Sequence, residues 1–399
     1  MTTDCKSVPD FVAPHLRSIP KSGIRDFFDI VAGRKDVISL GIGEPDFQTP
    51  WHIRERTIAA IERGSTRYTS NLGTPELRRA LAAYMEQSFH ATYDWRKEIL
   101  VTVGVSEALD IALRAVISPG DEVLYHEPCF VAYAPLIRMA HGVPVPVCTY
   151  RKDNFRLTVD ELERHVTPKT RVLLLNFPNN PTGATLDQAD TEALADFALR
   201  HNLLIISDEV YSELTYEGGR YSMAAIERIH DRLVLLNGFS KAWSMTGFRL
   251  GYVCAPAALT DAMMKIHQYC MMCASSISQE AGLQALSAGD ADIVEMRDAY
   301  KARRNFLVSS LNEMGLDCFM PRGAFYVFPS IQSTGLNSHE FAMRFLNEHS
   351  VACVPGDAFG ACGAGFLRCA YATGMEQLKE AMARMRIFVE KLKTDAPRA

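Results

Sequence analysis

No stretch of this chain stays apolar for the roughly 18 residues that a bilayer-crossing helix needs. Its opening, Met1-Thr2-Thr3-Asp4-Cys5-Lys6, lacks the basic start and apolar core of an export signal. The expectation is a cytoplasmic protein with no membrane partner. A broad positive field is missing as well, since the net charge is −5. That balance argues against nucleic acid as a partner and leaves any functional arginine to act singly, in a pocket. Internal repeats and low-complexity tracts are absent. Metal-ligand spacing is almost absent: ten cysteines include one CxxC, Cys270 and Cys273, with Met271 and Met272 between them and no second pair or His pair beside it. No metal site is expected. Packing is the expected use of that pair, and buried thiols rather than disulfides the expected state of the cysteines.

What is present is ordinary globular composition, 48% hydrophobic and 22% charged, in 399 residues, more than one core usually holds. Pro9, Pro14 and Pro20 break any long helix at the start, and a short helix fits residues 22–31. From residue 99 an alternation sets in. Strands are expected over 99–103, 122–125, 143–147, 171–175, 203–206, 233–236 and 249–254, with helices over 106–117, 131–140, 159–165 and 187–201 between the earlier ones. Such alternation argues for a mostly parallel sheet covered by helices on both faces. A long helical region, 278–314, breaks near Gly289-Asp290; short strands over 324–328, 351–354 and 366–370 then mix with helices over 339–349 and 375–392. The expected organisation is α/β: a large domain over 48–290, and a smaller α+β domain made of 1–47 and 291–399.

In a parallel sheet the ligand crevice lies beyond the carboxyl ends of the strands. The polar signals fall there. The apolar run 233–236 ends in Asn237-Gly238, and Lys241 follows in a turn, with Arg249 further on among apolar residues. A lysine and an arginine so placed can serve one ligand bearing a carbonyl and a phosphate, or can be two solvated cations on a surface loop. Gly104-Val105-Ser106 opens a helix after a strand; its free N–H groups and the Ser106 hydroxyl suit a phosphate, and suit an ordinary helix cap equally. Phe130 follows another strand and can stack a flat ring or fill the core. Asn176 to Gly183 offers amides to a ring hydroxyl, or simply forms turns. Asp208 ends an apolar strand, as a carboxylate for a ligand or as a cap, with the Tyr211 phenol three residues on. Gly43 sits in a turn that lets a backbone N–H approach a ligand. Arg368 lies within an apolar strand, and a buried guanidinium needs an anion.

The combination and order of these residues resemble the fold type I pyridoxal-phosphate enzymes, specifically class I aminotransferases of the aspartate aminotransferase superfamily. The likeness runs from Gly41-Ile42-Gly43-Glu44-Pro45-Asp46 to Phe366-Leu367-Arg368 and is sharpest in Asn179-Asn180-Pro181-Thr182-Gly183 and in Ser240-Lys241 with Arg249. It implies pyridoxal 5'-phosphate as cofactor. The implied reaction moves an amino group between an L-amino acid, aspartate or glutamate by default, and a 2-oxo acid, in two half-reactions through pyridoxamine phosphate. By the same resemblance Lys241 would condense with the aldehyde and shuttle the proton between substrate Cα and cofactor C4'. Asp208 would pair with the pyridine nitrogen, and Tyr211 and Asn180 would hold the ring oxygen. Arg249, Ser106 and the Val105 N–H would bind phosphate, Phe130 would stack on the ring, and Gly104, Asn176 and Ser240 would be further cofactor contacts. Arg368 would clamp the α-carboxylate with help from Gly43 and Asn180. Tyr68 would reach the neighbouring subunit's phosphate, making a homodimer with shared sites the working unit, and residues 20–24 would close over the substrate.

One position departs from the pattern: many relatives carry a phosphate-binding serine where this chain has Gly238, and Ser240 is the nearest substitute. A C–S β-lyase of the cystathionine-cleaving kind is the alternative on the same scaffold. A transcription regulator that reuses the fold to sense the cofactor is disfavoured, because only about 35 residues precede the Gly41 segment, too few for a helix-turn-helix domain.

Overall fold

Val172-Leu173-Leu174-Leu175 is buried along its whole length, and a strand with no polar face belongs inside a sheet covered on both sides. In the computed structural model, which describes residues 11–17, 19, 34 and 36–395, that strand is near the middle of a seven-stranded sheet. The expected helix over 22–31 and the closing segment 20–24 lie outside the described residues. Strands run in chain order β1 (Ile38–Ser39), β2 (Ile99–Thr102), β3 (Glu122–Glu127), β4 (Val143–Cys148), β5 (Thr170–Asn176), β6 (Leu204–Asp208), β7 (Leu233–Gly238) and β8 (Gly251–Cys254), then β9 (Tyr326–Val327), β10 (Val351–Ala352), β11 (Val354–Pro355) and β12 (Leu367–Ala370). The large sheet has the order β2-β8-β7-β6-β5-β3-β4. The pairs among β3 to β7 are parallel, whereas β8 is antiparallel to both its neighbours. The mostly parallel α/β sheet expected from the sequence is therefore the observed one, with a single reversed strand.

Helices form where local chemistry starts them. Thr74 accepts the Leu77 N–H ahead of Pro75–Phe89, with proline in the first turn. Asp187 and Asp190 make a reciprocal capping box at Gln188–Arg200. Two apolar clusters involve the sheet: one holds Leu173, Leu175 and Ile205, the other Leu174, Ile206 and Val234. Alternate residues of one strand thus feed opposite faces. The long helical region is two helices, Ser276–Ala288 and Asp290–Glu313, divided at Gly289 as expected. Beyond them β11, β12 and β9 form a small antiparallel sheet and β1 pairs with β10, over a third cluster that includes Leu307, Phe345 and Phe388.

Three local expectations change. The strand expected from residue 249 begins at Gly251, because Arg249 takes a left-handed φ of 51° after the turn Thr246–Phe248. The CxxC does not pack in the core: the helix Ala257–Cys270 ends at its first cysteine, leaving Cys270 exposed and Cys273 half-buried. Nor are all cysteines thiols. Cys148 is bonded to Cys362, while Cys129, Cys254, Cys318, Cys353 and Cys369 are buried and free. A partner 214 residues away leaves no local trace in the chain. Among the described residues no group of His, Cys, Asp and Glu is arranged to hold a metal ion, and no helix is long and apolar enough to cross a membrane.

Candidate active site

Because β5, β6 and β7 run parallel, their carboxyl ends open on one edge, and a cavity of about 430 Å³ lies there. β6 delivers Asp208 to it. This carboxyl is buried; it accepts the Tyr133 hydroxyl at 2.8 Å and the Val210 N–H at 3.2 Å. Burial pushes it up to about 6, while those two hydrogen bonds and the Lys241 charge pull it back. β5 delivers Asn176, whose amide serves as a brace. Its Nδ2 donates to the Asp208 carbonyl at 2.9 Å and its Oδ1 accepts the Asn180 N–H at 3.1 Å.

The turn after β7 delivers Ser240 and Lys241. The Lys241 ammonium donates to the Gly43 carbonyl at 2.8 Å and lies over the rings of Tyr211 and Phe325. Burial pulls its pKa down to about 8, so a usable fraction of free amine exists near neutral pH. Tyr211 is buried and its hydroxyl lies 2.9 Å from that of Tyr326. Burial raises its pKa, so the phenol keeps its proton.

The side where the sequence places a phosphate is built by close backbone approach. Helix Gly104–Val116 points its first turn at the cavity, with Val105 and Ser106 on the wall, and its leading N–H groups lack intrahelical acceptors. A Cβ on Gly104 would stand 2.7 Å from an Arg249 guanidinium nitrogen, so the arginine lies directly over the helix start. Gly238 is equally constrained. A Cβ there would meet Val105 Cγ2 at 2.9 Å and the Leu250 carbonyl at 3.0 Å. A serine has no room at that position, and Ser240, on the cavity wall, is the nearby hydroxyl.

Opposite stands Arg368, buried in β12. Its Nη1 donates to Asn180 Oδ1 at 2.9 Å and its Nη2 to the Gly41 carbonyl. Its Nε is buried with no acceptor. A desolvated cation with an unmatched donor is a site for an anion. The cavity thus gathers Gly43, Val105, Ser106, Phe130, Asn176, Asn180, Asp208, Tyr211, Ser240, Lys241, Arg249 and Arg368, with Gly104 beneath Arg249. Tyr68 is not among them. It is 82% exposed on a surface loop of this chain.

Sequence reasoning missed Tyr133, Tyr326 and His126. Tyr133 and Tyr326 line the cavity, but an aromatic inside an apolar run reads as core. His126 is buried, accepts the Asn176 N–H and stacks on Phe177 at 4.6 Å. Burial pulls its pKa down to about 3, so it stays neutral.

The residues present fit pyridoxal 5'-phosphate: a cradle for phosphate, a carboxylate for the pyridine nitrogen and a partly deprotonated amine for the aldehyde. Comparison with known proteins agrees. Residues 35–385 match the family model for aminotransferase class I and II. The chain is 46% identical to an aspartate aminotransferase of Pyrococcus abyssi, covering 94% of this chain and 97% of that one. It is 44% identical to aromatic-amino-acid aminotransferase 2 of Thermococcus litoralis, over the same shares. The solved structure of an aromatic aminotransferase from Pyrococcus horikoshii superposes with a TM-score of 0.88 at 44% identity, covering 93% of this chain and 99% of that one. The chain therefore belongs to the class I and II aminotransferases, pyridoxal-phosphate-dependent enzymes of fold type I.

Proposed function

We propose that this aminotransferase takes aspartate or glutamate as its default amino donor, with aromatic amino acids as the next class to test, and works as a cytoplasmic homodimer. The cofactor, when bound, supplies an aldehyde that condenses with amines and a ring that withdraws electrons from the substrate's Cα. Around it Lys241 is the amine and proton carrier, Asp208 the partner of the ring nitrogen, and Tyr211 with the Asn180 amide the holders of the ring oxygen. Asn176 braces Asp208 and Asn180 beside the ring, and Phe130 stacks on it. Arg249, Ser106, Ser240, Gly104 and the Val105 N–H hold the phosphate. Arg368 holds the substrate's α-carboxylate with Asn180 and Gly43 beside it. Residues 48–290 serve as the cofactor-binding domain, and the remainder as the smaller domain. Exposed Tyr68, Tyr269, Met271 and Met272 support a second copy covering that face, with Tyr68 reaching the partner's phosphate.

One observation carries the reading: Lys241, Asp208 and Arg368, from three separate chain segments, line one cavity. The test is a single half-reaction. Given an amino donor alone, the enzyme should release one equivalent of 2-oxo acid per site and no ammonia; release of pyruvate and ammonia from cystathionine would instead make it a β-lyase. Arg368→Lys should lower kcat/KM for amino acids roughly 10²-fold, because an ammonium cannot reproduce two parallel hydrogen bonds.

Tyr133 tunes Asp208. Its hydroxyl donates to the carboxylate and so stabilises the charged form. Tyr133→Phe removes that donor, so the carboxyl rises further above about 6 and loses its charge at higher pH. In the cofactor-free protein the carboxyl's titration, followed through the pH dependence of melting in wild type and variant, should move up by about one unit, the worth of a hydrogen bond to a charged group. An unmoved titration would show the phenol to be inert.

A further inference from the structure

We infer that Phe359 is a positioning residue that presets Arg368 for the substrate's carboxylate. The inference rests on the reading of Arg368 as the carboxylate clamp. Two rings crowd that guanidinium: its central carbon lies 4.7 Å from the Phe359 ring centre and 4.6 Å from that of Tyr326. Aromatic faces attract a guanidinium but accept no in-plane hydrogen bond. They restrict its tilt and keep water off its faces, so its N–H edge is what an anion meets. Tyr326 lines the cavity, whereas Phe359 does not; Phe359 acts through the arginine alone.

The ring's position is tied to the large sheet as well as to the small one, where Gly356 at the start of its turn donates to the Phe366 carbonyl at 2.9 Å. Phe359 lies in the turn Gly356–Phe359 between β11 and β12, yet its carbonyl accepts the N–H of Cys129, just past β3, at 3.0 Å. Three residues on, Cys362 is bonded to Cys148 at the end of β4. The side chain is 2% exposed and meets Phe328 edge-on. The loop thus links the two sheets and brings a ring tied to both against a guanidinium borne by the small sheet. Its function is registration: the carboxylate site stays aligned with the amine and ring sites across the seam between the two sheets.

Phe359→Leu keeps apolar volume and removes the ring. Expected is a rise of about tenfold, within a range of three- to thirtyfold, in the KM of the best amino donor, with kcat within twofold. The Kd of 3-phenylpropionate, a non-reacting carboxylate, read by calorimetry on the holoenzyme, should rise in step. The slow reaction of the amine lacking the donor's carboxylate should keep its rate constant, and the cofactor's absorbance should be unchanged. If the amine slows as much as the amino acid, or KM and Kd do not move, the inference is wrong. Arg368→Lys run in parallel separates the two levels: if it too leaves KM unchanged, the clamp reading itself fails, whereas a raised KM there with an unaffected Phe359→Leu overturns only the role of the ring.

Discussion

Lys241→Ala protein is expected to turn over at least about 10⁴-fold more slowly than wild type while melting within a few degrees of it. The activity loss follows from position. The amine projects from the turn after β7 against the Gly43 carbonyl, and among the described residues Lys241 is the one amine on the cavity wall. The hydroxyls and carboxyls around it cannot form an imine with a carbonyl, which takes an amine. The stability expectation follows from burial, which holds the Lys241 pKa near 8. A side chain whose charge is already disfavoured by desolvation contributes little to folding, and its removal relieves that penalty. Borohydride treatment followed by intact-mass measurement checks the chemistry: wild type should gain the mass of the reduced cofactor on this residue, and the variant none. A variant that still gained that mass and retained full turnover would remove the foundation of the reading.

Asp208→Asn should lower kcat by about 10²- to 10³-fold with KM little changed, the range seen when a preorganised charge is taken from a reacting group. Asparagine keeps the shape and can still accept the Val210 N–H on its one oxygen, with its NH2 turned to the Tyr133 hydroxyl, which can accept as well as donate; the charge is lost. The same substitution should act on stability in the opposite sense. The folded carboxyl sits near 6, above the usual aspartate value near 4. The fold therefore favours the protonated form, and that contribution is present below the unfolded pKa and lost as pH rises through about 6. In the cofactor-free protein, Asp208→Asn should match wild type at pH 4 and melt higher at pH 7.5. Equal melting at both values would mean the carboxyl is not held up by burial, and unchanged kcat that its charge has no part in the reaction.

Much of this site was legible because charge in an apolar run is conspicuous. Asp208 after Ile205-Ile206, Lys241 after Leu235-Leu236 and Arg368 among Phe366, Leu367 and Cys369 each break a pattern that core packing would continue. The sheet was legible for the same reason, since β5 and β7 have no polar face. Tyr133, Tyr326 and Phe359 break no pattern. An aromatic in an apolar context satisfies the core whether or not its hydroxyl or ring face has a partner, and those partners are 75, 115 and 9 residues away. The cysteine expectations went astray on geometry of another kind. Helical spacing continued past Cys270 on paper, but Met272 has a φ of 68°, which ends the helix and turns the CxxC outward.

The guanidinium of Arg368 is held by a carbonyl at position 41 and an amide at 180, whereas the residues of this chain proposed to hold the phosphate and Lys241 all fall within residues 104–251. The order in which a ribosome releases these pieces differs accordingly. On the proposed reading, a growing chain exposes its own share of the vitamin's contacts long before the last strand arrives to admit a substrate, so this part of the reagent's seat is made first and the selectivity last.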